Sequence, residues 1–180
     1  METALILALP ELAGVVDRWR VPSVGNARLG LPPHVTVLFP WVPSEPAEPD
    51  LRRLRHAIRG FEPFSLTFRE VATFPGCPGF VWLRPEPADL VLRLCLAVSA
   101  EFGEFSPYAG RHPDPVPHLT VAECSDPEAT AARAAAIAGE LPPLLADLGP
   151  IRIAGLDLAA QQEAGGAWRV GRIATLGASR

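Results

Sequence analysis

Two segments, one in each half of this 180-residue chain, nearly repeat each other: Pro33-His34-Val35-Thr36-Val37 and Pro117-His118-Leu119-Thr120-Val121. Alternation of polar and apolar residues marks a half-buried strand, and on a strand residues two apart share a face. Each segment therefore sets one imidazole beside one hydroxyl and turns its valine or leucine the other way. The chain has only four histidines, His34, His56, His112 and His118, and seven threonines. His-x-Thr arising twice, each time after proline, is a poor match to chance. For either segment alone, a hydrogen-bonded core histidine beside a strand-forming threonine is the simpler account. The pair together reads as a two-histidine site.

The rest of the chain suggests how two such strands are carried. Thr3–Leu9 is a short apolar run that reads as a buried strand, and Pro10–Arg20 follows with Leu12, Val15, Val16 and Trp19 at helical spacing. A loop over Pro22–Pro33 leads to the first motif strand, His34–Trp41. Asp50 is placed to cap a helix over Leu51–Arg59, whose polar side carries His56 among arginines as a solvated residue. Phe64–Phe68 alternates as a strand continuing toward Phe74, Pro75–Gly79 is a turn, and Phe80–Leu83 is a further strand. Ala88–Phe102 is helical after Pro87. The second motif strand, His118–Cys124, precedes a capping box of Ser125 and Glu128 and a helix to about Leu141. Ile151–Ala159 and Ala167–Leu176 read as a closing pair around Gly165-Gly166. Each motif strand thus precedes a cap and a helix. This weak internal repeat predicts an α+β fold in one bilobal domain over 1–180: two similar lobes with antiparallel sheets about a pseudo-twofold axis, and a cleft between them.

Composition narrows the chemistry. Net charge is −4 and hydrophobic content 48%, which suits a globular core and argues against gripping long nucleic acid through its phosphates. All 16 basic residues are arginine. Without lysine there is no Walker-type lysine, no Schiff base and no lysyl-nucleotide intermediate. Cys77, Cys95 and Cys124 are odd in number and scattered, and form neither a disulfide framework nor a CxxC pair. Met1–Val16 is apolar but lacks a basic flank, is interrupted by Pro10 and is too short to span a membrane. The expectation is a soluble, cytoplasmic protein without a membrane partner and, lacking an oligomerisation signal, a monomer.

Two facing imidazoles serve as general base and general acid in one displacement, provided their surroundings push their pKa values apart. The neighbouring hydroxyls are donors suited to phosphate oxygens, and phosphoryl transfer needs chiefly positioning and charge stabilisation. A three-histidine zinc set of His34, His112 and His118 is the weaker alternative. His112 sits in a proline-rich loop, and no carboxylate lies at helical ligand spacing from any of the three. No serine elbow G-x-S-x-G is present. Neither metal nor cofactor is expected. A nucleotide-binding module that uses the same groups without turnover is the reading from a different class.

The doubled His-x-Thr-apolar motif resembles the 2H phosphoesterase superfamily, most closely its bacterial 2′-5′ RNA ligase-like branch. Supporting segments fall in the same order: Ala4–Leu9 ending in Pro10, the Phe64–Phe68 strand, Val81-Trp82-Leu83, and the closing pair near Trp168. The resemblance implies two α+β lobes with the motifs lining their cleft. It also implies metal- and ATP-independent hydrolysis of a 2′,3′-cyclic phosphate on a small nucleotide or an RNA terminus, in some members with 2′-5′ RNA joining. By position it makes His34 and His118 the acid–base pair, in either order, and Thr36 and Thr120 the phosphate holders. Phe39, Trp82, Tyr108 and Trp168 are candidates to stack on a base, with core packing the simpler account of Phe39 and Trp82. Arg111, seven residues before His118, is either a phosphate partner or an ordinary surface arginine.

Overall fold

The computed structural model describes residues 1–43, 45–105 and 115–177. The elements run β1 (Glu2–Ala8), a 3-10 turn (Pro10–Leu12), α1 (Ala13–Ser23), α2 (Gly25–Arg28), β2 (His34–Leu38), α3 (Glu48–Ile58) and β3 (Phe64–Phe74). They continue with β4 (Gly79–Glu86), α4 (Ala88–Glu101), β5 (Leu119–Cys124), α5 (Pro127–Leu148), β6 (Ile151–Ile153), β7 (Gly155–Gln161) and β8 (Trp168–Thr175). The fold is α+β, with two four-stranded antiparallel sheets in the orders β2-β1-β7-β8 and β5-β4-β3-β6.

The two sheets correspond strand for strand. The runs β1-α1-β2-α3 and β4-α4-β5-α5 repeat one strand–helix–strand–helix unit, and in both sheets the motif strand is an edge. The units are crossed: α1 packs on β5, α4 packs on β2, and β2 and β5 meet. One buried cluster joins Leu5, Leu7, Val35 and Val37 of the first sheet to Val81, Leu83, Leu119 and Val121 of the second. Burying each such side chain stabilises by roughly 1.5–3 kcal/mol. A slip of one residue in β2 or β5 would expose these chains and bury the imidazole and hydroxyl, so the core itself dictates which face carries His34, Thr36 and Thr120.

Several expected boundaries shift. The loop over Pro22–Pro33 contains the end of α1 and the short α2. Asp50 acts from inside the helix rather than as its cap: α3 starts at Glu48, and the Asp50 carboxylate accepts from the Ala47 N–H at 2.9 Å. Asp126, not Ser125, caps α5, accepting from Ala129 N–H at 2.8 Å while Ser125 Oγ donates to its other oxygen at 2.6 Å. A carboxylate is the stronger acceptor for orphan helix N–H groups. The same helix runs to Leu148 through Pro142 and Pro143, because Leu141 and Leu145 continue its buried stripe. The segment expected as one strand over Ile151–Ala159 divides at Ala154: β6 pairs with β3 in one sheet and β7 with β1 and β8 in the other. One short stretch of chain thereby serves both sheets.

Candidate active site

His34 opens β2 beside Ala8 of β1, and Thr36 lies beside Ile6, so both side chains rise from one face of the first sheet. The His34 Nδ1 is 2.8 Å from the Pro32 carbonyl oxygen. A carbonyl only accepts, so Nδ1 carries the hydrogen and Nε2, on the far side of the ring, keeps its lone pair when the ring is neutral. The approach to this strand is tied at three successive carbonyls. Arg20 Nη2 donates to Leu31 O at 2.8 Å and to Pro32 O at 3.0 Å, and Leu9 N–H donates to Pro33 O at 2.8 Å. Two prolines in a row add fixed φ angles and no N–H in need of a partner.

The second motif repeats the arrangement. His118 directly precedes β5, and its Nδ1 lies 2.7 Å from the Val116 carbonyl, again two residues upstream. Thr120 pairs across the ladder with Trp82 of β4. The His118 ring stands nearly perpendicular to Phe74, with centroids 5.0 Å apart, and 5.9 Å from Trp82. Those two rings stack on one another at 4.8 Å. His118 therefore stands against an aromatic wall, whereas the cross-strand neighbour of His34 is Ala8.

Electrostatics act strongly on His34. Burial pushes the His34 pKa down to about 4; the Pro32 hydrogen bond opposes this, and the charges of Arg20 and His118 add to it. The His118 charge bears on His34 because the meeting of β2 and β5 brings the motifs together. Arg20 is itself 2% exposed and is partnered by Asp17 at 3.5 Å.

The register puts Asp157 of β7 on the same sheet face as Ile6 and Thr36, and Arg172 of β8 beside it. Asp157 accepts from Arg172 Nε at 2.7 Å and from the Ala8 N–H at 3.3 Å. Trp168 packs with Ala4, Ile6, Leu31 and Ala159, its indole N–H donating to Asn26 at 3.4 Å, and the partly buried Phe39 packs against that cluster. Tyr108, Arg111 and His112 lie outside the described residues. Among the described residues, no group of three or more His, Cys, Asp or Glu is placed to hold a metal ion, and no helix is long and apolar enough to cross a membrane.

Sequence reasoning missed Arg20, Asp157 and Phe74, and named Trp82 as a base-stacking candidate with core packing the simpler account, not as part of a wall beside His118. Two signals were available. Arg20 falls on the helical row Leu12, Val16, Arg20, where an apolar residue is the ordinary occupant, and Asp157 interrupts the apolar run Ile153–Ala160.

The family model of the 2′-5′ RNA ligase superfamily matches residues 8–157. No curated protein matches the chain. A crystal structure of E. coli LigT complexed with 3′-AMP superposes with TM-score 0.66 at 19% identity, over 98% of each chain. TT0787 of Thermus thermophilus gives 0.58 at 23% identity over 94% of each chain. A further crystal structure, described as a phosphoesterase, gives 0.59 at 16% identity over 95% of this chain and 94% of that one.

Proposed function

The chain belongs to the 2′-5′ RNA ligase superfamily, and from that premise we propose that it is a metal-independent phosphodiesterase that opens a 2′,3′-cyclic phosphate on a nucleotide or an RNA end. The coarser statement, a phosphoesterase-type enzyme, follows from the family. The observation that carries the finer one is the matched pair of carbonyl-anchored imidazoles, each with a threonine two residues on.

In this reading the neutral His34 is the base. Its Nε2 takes a proton from water as the water oxygen attacks phosphorus. His118, protonated, gives its proton to the departing ribose oxygen. One P–O bond forms and one breaks, the product is a phosphomonoester, and solvent exchange resets the two rings. Burial and the nearby cations disfavour a charged His34, whereas aromatic π-systems beside His118 favour a positive ring. Thr36 and Thr120 donate to the non-bridging oxygens. A 5′-hydroxyl in place of water makes the same displacement a 2′-5′ joining reaction. That E. coli LigT takes 3′-AMP, NADP+ and phosphate supports a nucleotide-sized phosphate ligand here. With no lysine and a net charge of −4, an RNA terminus or small nucleotide suits the chain better than a long duplex.

The test is to incubate the purified protein, with chelator present, with 2′,3′-cyclic nucleotides and with oligonucleotides ending in a cyclic phosphate. Conversion to a phosphomonoester is expected. Full activity in His34→Ala or His118→Ala overturns the roles, and nucleotide binding without turnover across the panel makes the cleft a binding module instead.

A further inference from the structure

Local sequence makes the two motifs near-equivalent, yet their supports differ. The Val116 carbonyl that holds His118 belongs to a residue 43% exposed. The Pro32 carbonyl that holds His34 is shared with a guanidinium that is 2% exposed. Burying a guanidinium is costly unless it is well paired. Asp17, at 3.5 Å, is a distant partner. Arg20 instead spends Nη2 on two consecutive backbone oxygens of the loop that delivers His34.

We propose that Arg20 is the positioning residue that makes this near-symmetric site directional: by holding the Pro32 carbonyl it fixes His34 as the Nδ1–H tautomer and keeps that ring the proton acceptor of the pair. The inference rests on the reading of the site as an acid–base pair. A carbonyl has two acceptor sites, and His34 and Arg20 occupy both. A carboxylate in the place of Arg20 would stabilise an imidazolium, as in the Ser-His-Asp arrangement. A cation on the same oxygen draws its electron density away and opposes that charge. The guanidinium fork also ties Pro32 to Leu31, so the acceptor cannot swing away from the ring.

Among the described residues, other groups facing His34 are few. His118 faces it from the second lobe, and Asp157 with Arg172 shares its sheet face. Helix α4, packed on β2, turns Val91, Leu94, Cys95 and Val98 inward, and the Cys95 thiol is pushed up to about 12 by burial and stays neutral. Beyond burial, the largest influence on His34, Arg20 thus acts among the described residues together with a histidine and an already paired carboxylate.

The experiment is imidazole ¹⁵N–¹H spectroscopy of the full chain against pH, with His34 assigned through His34→Asn. In the wild type, His34 is expected as the Nδ1–H tautomer, neutral to below pH 5. In Arg20→Met its midpoint is expected to rise by about one unit or more, the scale of a neighbouring charge, and both tautomers to appear. In Arg20→Lys, where an ammonium replaces the planar fork, the tautomers are expected to mix while the midpoint stays low. On a 2′,3′-cyclic nucleotide, Arg20→Met is expected to lower kcat by about tenfold or more, with the acidic limb of the rate profile moving by the same amount as the His34 midpoint and KM nearly constant. An Nε2–H tautomer in the wild type overturns the proposal. So does an unchanged tautomer and midpoint in folded Arg20→Met or, should that variant not fold, an unchanged tautomer in Arg20→Lys. Absence of turnover by the wild type would overturn the assigned activity alone, since the spectra read Arg20 without a substrate.

Discussion

His34 and Arg20 donate to one oxygen: the Pro32 carbonyl lies 2.8 Å from Nδ1 of the ring and 3.0 Å from Nη2 of the guanidinium. The carbonyl by itself favours the charged ring, but burial, first, and the Arg20 and His118 charges outweigh it. The paired histidine has a carbonyl of its own but stands beside aromatic rings. Two motifs of nearly the same local sequence are given different surroundings.

Stability is expected to fall as pH drops through the window between the two His34 values. Unfolded, His34 titrates near 6.5; folded, near 4. Between these values the unfolded chain binds the extra proton, so stability rises with pH there. The His34 share of the loss, complete below pH 4, is about 3 kcal/mol. Urea midpoints of the wild type and His34→Asn between pH 4 and 7 check this: the difference in slope should lie in that window and vanish above pH 7.

Removing either imidazole should abolish most of the turnover. His34→Ala and His118→Ala are each expected to lower kcat by about 10²–10⁴ with smaller changes in KM. The double variant should lose little more than the worse single one, because the two act as a unit. Single-turnover kinetics on a 2′,3′-cyclic nucleotide measures all three.

Thr36→Val and Thr120→Val keep shape and burial but delete a donor. A hydrogen bond to a charged group contributes about 1.5–3 kcal/mol, so each should lower kcat/KM by roughly ten- to a hundredfold, whereas Thr→Ser at either position should retain most of it. Inhibition constants for inorganic phosphate should weaken in the valine variants.

Phe74→Leu takes one ring from beside His118 at a partly buried position. Loss of a favourable aromatic neighbour, about 0.5–1 kcal/mol, should lower kcat two- to fivefold and shift the alkaline limb of the rate profile toward lower pH. An unmoved limb would assign the ring to packing alone.

Gly79→Ala should destabilise the second sheet without touching the chemistry. A Cβ there would collide with Thr130 Oγ1 of α5, and that hydroxyl is held by the Asp126 carbonyl at 2.7 Å. Overpacking of this kind costs about 1–3 kcal/mol, readable as a lowered Tm with kcat preserved in the folded fraction.

Much of the fold was legible because its signals are local. Alternation in His34-Val35-Thr36-Val37 and Leu119-Thr120-Val121 named the buried face, and the apolar stripe of Ala88–Glu101 named a helix. The misread ends, Asp50, Asp126 and the split at Ala154, turn on which of two acceptors or two partner strands wins, a competition local periodicity does not describe. In the candidate site, the four motif residues were legible by repetition. Trp82, a stacking candidate with core packing the simpler account, is 4% exposed yet packs beside Phe74 and His118, a place that depends on the β4–β5 register.

The sequence by itself determined that two strands would each present an imidazole and a hydroxyl on one face, and that lysine chemistry was closed, since both follow from residue type and a period of two. Only the tertiary structure decided that α1 and α4 exchange across the lobes, that β2 and β5 meet, and that a buried arginine from α1 reaches the carbonyl under His34 and no such contact marks Val116 among the described hydrogen bonds. The reason is physical: a side chain's direction is set by its immediate backbone, but its proton affinity is set by burial first, and then by charges and dipoles, that distant parts of the chain supply.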